Sequence, residues 1–459
     1  MIQTAALNTN SGSGTATVKR NSNALFRSDY TLWSSPVTGQ NLLAFSPATL
    51  ATRFYNYNTS FSVAGAFSAI TSPSTTPFSP GSGYLIRMPN TYTTPAGDYD
   101  AGAVTLVYPG QFSGTLNNGT IPVALTDGES AGLRYNLVGN PYPSPITIST
   151  FISENSANIE STLYFWRKTN GTGSAYCTWV AGTFTGNGNA LSLDPLGVIQ
   201  TGQGFFVEAK SGKTSLSFNN TQRVINTANQ FFKTKQVAEP SKIWLNATDT
   251  AGNFSQMAVT YFDGATLGVD AFDAKYINDS KYALTSDINQ GEYTIQGRPA
   301  FDASDVVALN FKTEVAGDYT IAIDHTQGVF ANGQDVYLVD SKTGTETDLK
   351  AGSYTFTATV GIDNTRFFLK YQKTLKVDAP AFNENTVKIY KNNGTLYVNS
   401  GKMSINSIQV YDIQGRLIAE RKNVKSSTAT LDNLKANNQV LLVKISGEDN
   451  SVVTKKILN

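Results

Sequence analysis

Short runs that alternate between apolar and polar residues dominate this chain. Lys242-Ile-Trp-Leu-Asn246, Asp318-Tyr-Thr-Ile-Ala-Ile-Asp324 and Tyr354-Thr-Phe-Thr-Ala-Thr-Val360 have period two and are rich in β-branched and aromatic residues, the pattern of half-buried strands. A helical period of 3.6 is almost absent; the best candidate is short, around Ser149 to Asn155. Between the runs stand Asn118-Gly119, Asp127-Gly128, Asn170-Gly171, Asn187-Gly188, Asp263-Gly264, Asn332-Gly333 and Asn393-Gly394. Such pairs supply the positive φ values of type I′ hairpin turns. The pattern therefore predicts an all-β chain of short strands joined by tight turns.

The pattern also repeats. Tyr30-Thr-Leu-Trp-Ser-Ser-Pro36 matches Tyr135-Asn-Leu-Val-Gly-Asn-Pro141, an offset of 135 − 30 = 105 positions. Arg53-Phe-Tyr-Asn-Tyr57 then parallels Thr162-Leu-Tyr-Phe-Trp166, and Gly81-Ser-Gly-Tyr-Leu-Ile86 parallels Gly202-Gln-Gly-Phe-Phe-Val207. The order is kept while the offset drifts, as loop insertions would cause. Two copies suit paired sandwiches better than a solenoid. The expected modules are residues 1–126 and 127–236, a third β-sandwich at 237–375 after a break near Val237-Ala-Glu-Pro240, and a last module at 376–459 beyond a linker at Lys373 to Asn385.

Composition narrows the function. The 459 residues suffice for three or four domains of about 100–150 residues, each able to bury a core without disulfides. A formal charge of +1 and only 15% charged residues argue against a nucleic-acid partner held by bulk electrostatics. No 18-residue apolar run marks a transmembrane helix. The first twenty residues lack a charged stretch followed by an apolar one and do not read as a signal peptide; an exported protein would be represented here without its leader.

The tail carries a resemblance. It reads Val387-Lys-Ile-Tyr390, Gly394-Thr-Leu-Tyr-Val398, Ile408-Gln-Val-Tyr-Asp-Ile-Gln-Gly-Arg-Leu-Ile418, Leu431-Asp-Asn-Leu434, Val440-Leu-Leu-Val-Lys-Ile445 and Val452-Val-Thr-Lys-Lys-Ile457. It resembles the C-terminal sorting domains of the Bacteroidetes type IX secretion system. The matching marks are a strand ending in a turn with Tyr411, Asp412, Gly415 and Arg416, and a closing strand with Lys455 and Lys456. Upstream, Asn136-Leu-Val-Gly-Asn-Pro-Tyr-Pro143, Leu163-Tyr-Phe-Trp166, Gly202-Gln-Gly-Phe-Phe206 and Gly268-Val-Asp-Ala-Phe-Asp273 resemble flavobacterial surface proteins with the type C version of that signal. The resemblance implies delivery through the periplasm to the cell surface or medium. The partners it implies are the outer-membrane translocon, its sorting machinery and surface glycolipid. It also implies that the tail is a small immunoglobulin-like β-sandwich of six or seven strands. Residues 381–459 hold eleven Lys/Arg against six Asp/Glu, a basic balance open to recognition by charge or to a merely solvated face. Asp412 and Arg416 read as a turn cap and surface ion pair, or, by resemblance, as a feature the receptor reads. The last strand could be a sheet edge that pairs with a partner by β-addition.

Catalytic chemistry is thin. One cysteine, Cys177, and one histidine, His325, exclude an intramolecular disulfide and a His/Cys zinc site. Cys177 reads as a small buried residue and His325 as a turn residue. The glycine spacings Gly81-Ser-Gly83, Gly186-Asn-Gly188 and Gly202-Gln-Gly204 open no helix and are hairpin or bulge glycines, with no phosphate cradle. Carboxylates at Asp98 and Asp100, at Asp302 and Asp305, and at Asp263, Asp270 and Asp273 are candidate calcium ligands or, alternatively, turn and strand caps. Trp33, Trp166, Trp179 and Trp244 are core residues or sugar-stacking platforms. The reading is a non-catalytic, adhesin-like surface region ending in a sorting signal. Its rivals are a glycan-binding or adhesive β-sandwich and an accessory module of a hydrolase.

Overall fold

A computed structural model describes residues 14–59, 67–91, 96–127, 134–167, 175–189, 192–225, 240–277 and 280–373, together with 382, 384, 386–392, 394–401, 403–432, 434, 439–448 and 451–458. The chain divides into two units, Met1–Lys373 and Thr374–Asn459. The expected break near Val237 and most of the expected linker at 373–385 lie outside the described residues. Strands dominate, and the short helix expected near Ser149 is present as Ile148–Asn155. Among the described residues no helix is long and apolar enough to cross a membrane.

The internal repeat is visible strand by strand. In the first copy, β1 (Ala16–Leu25), β2 (Tyr30–Trp33), β3 (Phe54–Tyr57), β4 (Phe67–Ala69), β5 (Tyr84–Arg87) and β6 (Leu106–Leu116) follow one another. The second copy contains β7 (Ile121–Ala124), β8 (Tyr135–Gly139), β9 (Ile159–Trp166), β10 (Tyr176–Val180), β11 (Thr183–Thr185), β12 (Gly204–Ala209) and β13 (Ser215–Phe218). One sheet runs β2-β5-β3-β4 and the other β8-β12-β9-β10-β11, the same order at the equivalent positions. Even the register agrees: Leu32 faces Leu85 as Leu137 faces Phe206. Outer strands close each copy, β1 with β6 and β7 with β13. In space, β7 thus goes with the second copy although residue 126 follows it in the chain.

The two copies meet across a pseudo-two-fold axis. Ser34 N–H donates to Gly202 O, and Gly139 N–H donates to Gly81 O, both at 2.9 Å; Trp33 bridges Gln203 as Val138 bridges Ser82. Each pair is the other with the copies exchanged, the mark of an isologous contact. Leu32, Leu85, Leu137, Tyr164 and Phe206 fill the seam. Two of the three Gly-x-Gly spacings, Gly81-Ser-Gly83 and Gly202-Gln-Gly204, serve this contact. Gly81 holds φ +78, and a Cβ on Gly83 or Gly204 would meet Val138 O at 2.7 Å or Leu32 Cβ at 2.9 Å.

The third module is one eleven-stranded sheet folded over its own core. Its longer strands are β14 (Ser241–Asp249), β15 (Phe254–Tyr261), β16 (Tyr282–Ile288), β17 (Gly291–Arg298), β18 (Val306–Thr313), β19 (Gly317–Gln327), β20 (Tyr337–Asp340), β21 (Thr345–Asp348), β22 (Tyr354–Ala358) and β23 (Gly361–Lys370). Ile243, Leu245, Val259, Leu309, Phe311, Phe356 and Phe367 meet inside. β14 is buried on both faces, contrary to the half-buried strand expected from its alternation. Ile243 and Leu245 enter the sandwich core, while Trp244 on the opposite face packs with Val180 of the second copy.

Among the described residues the last module has seven strands: β24 (Lys388–Asn392), β25 (Thr395–Asn399), β26 (Ile405–Asp412), β27 (Leu417–Ser426), β28 (Thr428–Leu431), β29 (Val440–Gly447) and β30 (Val452–Leu458). They form sheets β24-β25-β28 and β27-β26-β29-β30 over a core of Val387, Leu396, Val398, Ile408, Val410, Val443 and Ile445. Three strands over four is the immunoglobulin-like sandwich architecture.

The expectation that Asn-Gly and Asp-Gly pairs mark hairpins needs correction. Gly119, Gly188, Gly264 and Gly333 do hold positive φ, but the strands on either side of each pair with other strands. These pairs turn the chain between layers. Type I′ hairpins stand instead at Ala181-Gly182 (φ 47 and 75) and Asn289-Gln290 (φ 54 and 67). Asn393-Gly394 does join two paired strands, β24 and β25, and Asn170-Gly171 falls between the paired β9 and β10; Asn393, Gly128 and the Asn170-Gly171 pair themselves are outside the described residues.

Candidate functional site

Tyr411 to Arg416 closes the hairpin between β26 and β27. Gly415 N–H donates to Asp412 O (3.1 Å) and Asp412 N–H to Arg416 O (3.0 Å), with Gly415 at φ +80. This is a type I turn followed by a left-handed residue that only glycine adopts freely. The Asp412 carboxylate accepts the backbone N–H groups of Gln414 (3.0 Å) and Arg416 (2.9 Å) and the Arg416 Nε–H (3.1 Å). The Arg416 N–H leads the groups that hold this carboxyl below its ordinary value, against the upward push of burial. Asp412 is covered, while the Arg416 side chain is 75% exposed. The motif is therefore a self-capped turn that lifts one guanidinium into solvent.

The turn borders an apolar patch. Leu417, Tyr411, Leu442 and Lys456 are successive partners across the four strands; Ile413 is 71% and Leu458 79% exposed. β30 is the edge of its sheet and, among the described residues, pairs with β29 alone. Lys456 points outward and Lys455 is half-buried on the face of Val453 and Ile457. The opposite edge, β27, carries Glu420, Arg421, Lys422 and Lys425 and is kinked where it shifts register, a protected edge. The apolar ends of β30 make it the more open of the two.

A second site lies in the first unit. A cleft of about 650 Å³ opens where the end of β1, β2 and the last residues of β9 approach residues 192–204. Asn21, Thr31, Trp166, Arg167 and Gln203 line it. Arg167 directly follows β9; its Nη2 donates to Ala24 O (3.3 Å), and its buried Nε has no partner among the described residues. Burial lowers the pKa of this guanidinium from its ordinary value. Sequence reasoning named Trp166 among the aromatics but missed Asn21, Thr31 and Arg167. The repeat alignment was the one signal that could have drawn attention to them.

The other candidates are consumed by structure. In the loop with Asp263, the Asp270 carboxylate accepts N–H from Thr266 (2.7 Å) and Phe272 (2.9 Å), and Asp273 accepts N–H from Asp270 (2.7 Å) and Gly297 (2.9 Å). The loop docks on β9 through Ser161 and Thr162, which donate to Ala271 O and Asp273 O. Among the described residues no group of three or more His, Cys, Asp and Glu could hold a metal. Asp302 caps Ser304, while Asp305 is gripped by Arg298 Nε (2.6 Å) and Nη2 (2.5 Å) and by the Tyr261 hydroxyl (2.9 Å). Asp98 and Asp100 fall in the short helix Ala96–Asp100. His325 stacks on Trp244 at 3.9 Å and contacts Asp324 through Nδ1 at 2.6 Å. Cys177 is buried opposite Phe165. Trp33, Trp179 and Trp244 belong to cores.

Fold and site together define an all-β chain of tandem sandwich modules, with a cleft between its repeats and a basic terminal module. By sequence the chain belongs to the family described as a domain of unknown function (DUF8693), which covers residues 1–371; residues 375–459 match a second domain of unknown function (DUF8694). Among solved structures the chain is similar to one titled "Biofilm associated protein - BSP domain", at 11% identity over 96% of this chain and 92% of that chain, with a TM-score of 0.13. No curated protein matches it.

Proposed function

We propose that this chain is a non-catalytic, adhesin-like region of an exported cell-surface protein and that its last module is the address read by the type IX secretion machinery. The observation that carries this reading is the last module itself. It is a separate unit with its own core, basic by twelve Lys/Arg to seven Asp/Glu over residues 374–459, with a self-capped Asp412–Arg416 turn beside an exposed apolar patch and an open terminal edge strand. Apolar patches of this kind mark contact surfaces, and a free edge offers a partner its backbone N–H and C=O groups. Residues 376–459, and separately 1–459, fused behind a signal peptide and reporter in a type IX-competent bacterium test the reading. The expected result is surface or medium delivery that vanishes in a translocon-deficient strain. Deleting 452–459 is expected to abolish it. Periplasmic retention of both fusions overturns the sorting role.

A second reading, glycan binding by the first unit, is favoured by the cleft. Its size and its mix of aromatic, amide and guanidinium groups suit a sugar ligand. Retention of the full chain on a glycan array tests it.

A further inference from the structure

We propose that the cleft between the two repeats binds an oligosaccharide bearing carboxylates, with Arg167 and Arg20 facing the acid groups and Trp166 under a sugar ring. This rests on the glycan-binding reading. The repeat itself points to the site, because the cleft is where the pseudo-symmetry breaks. In the second copy the side chain of Asn136 accepts the Thr126 N–H (2.8 Å) and donates to Thr126 O (3.0 Å). This sews the segment after β7 to β8. At the offset of 105 positions the corresponding residues are Asn21 and Thr31. Threonine is too short to make both bonds, β1 shifts register between Asn21 and Ala24, and both residues line the cleft. One copy is closed at this seam and the other is open.

The lining defines the ligand. Asn21, Thr31 and Gln203 bring donors and acceptors matched to hydroxyl groups. Trp166, half-buried at the end of β9, offers an apolar ring. Arg20 and Arg167 bring two guanidiniums against one lining acid, Asp194, whose carboxylate already accepts the Leu196 N–H at 2.8 Å. Guanidinium forks match carboxylates in geometry and charge, so uronic-acid chains fit better than neutral ones.

Titration calorimetry of the full chain against short oligogalacturonates, their methyl esters and neutral gluco-oligosaccharides tests this. The acid form is expected to bind at least tenfold more tightly than the other two. Arg167→Gln and Thr31→Asn, the latter copying the closed seam of the second copy, are each expected to weaken it at least tenfold without changing the melting curve. Should Arg167→Gln melt early, Arg20→Gln at its exposed strand position serves in its place. Equal binding of acidic and neutral sugars overturns the inference, as does binding that neither substitution alters; in both cases glycan binding itself survives. No binding of any sugar, there or on the array, overturns both.

Discussion

Asp273 is the residue whose charge state is set most clearly by its surroundings. Burial pushes its carboxyl up to about 6, against the pull of the Asp270 and Gly297 N–H groups. An acid whose folded value lies above its unfolded value of about 3.9 is stabilising when protonated. Its contribution is complete below about pH 4 and is lost as pH rises through about 6. The unfolding free energy of wild type relative to Asp273→Asn, from urea titrations at each pH, is therefore expected to fall across that window and then level off, by an amount on the order of 2 kcal/mol after solvent screening. Arg366 and Asp340 behave in the opposite sense, as a pair. Both are buried, joined at 2.7 Å, with the guanidinium 4.8 Å from the ring centres of both Phe356 and Phe367 and the Tyr354 hydroxyl donating to Asp340 at 2.8 Å. Arg366→Met keeps the stacked volume but strands a buried carboxylate, so urea titration is expected to show a loss of about 3–5 kcal/mol.

Elements in this chain are held where they are by what crosses between them. Ser34 and Gly139 occupy equivalent positions, and a Cβ on Gly139 would lie 2.3 Å from Ser34 Cβ. They face each other across the pseudo-two-fold axis, where there is room for one side chain. Gly139→Ala is expected to cost about 1–3 kcal/mol by overpacking, and Ser34→Gly in that background to restore most of it, both read from thermal melts. The last module shows how a turn motif and a hairpin explain one another. Asp412 sits at the start of its turn because its carboxylate satisfies two N–H groups, and Gly415 follows because the chain must pass through positive φ. Asp412→Ala is expected to lower the melting midpoint of isolated residues 376–459, whereas Arg416→Gln, at an exposed end, is expected to leave it nearly unchanged. Were the pair read only as a surface salt bridge, the two losses would be equal.

At the scale of the molecule, the crossing of β7 decides where the chain can be cut. A fragment ending at residue 126 carries β7 without β13, its partner, while one ending at 117 keeps β1 to β6 together. The shorter fragment still exposes Leu32 and Leu85, which meet Leu137 and Phe206 in the intact chain. The contact is isologous but has room for one side chain on its axis, so fragment 14–117 carrying Ser34→Gly is expected to self-associate through that face and the unsubstituted fragment, with Ser34 against Ser34, to do so more weakly, as sedimentation velocity would show.

The all-β class, the repeat and the short helix were legible in the chain itself, since period-two alternation and matched segments act through local backbone geometry and the sidedness of a strand. The terminal sandwich of six or seven strands and the Asp412–Gly415 turn were expected from the resemblance of the tail. Which strand was buried on both faces was not, because Trp244 is covered by Val180, a neighbour distant in sequence. Nor was the use of the glycines, since close approach across the repeat seam and a hairpin turn make the same local demand. The cleft was least legible of all. Asn21 and Thr31 are ordinary residues in their own copy and become a site only where two copies pack and one seam stays open, a juxtaposition that only tertiary structure decides.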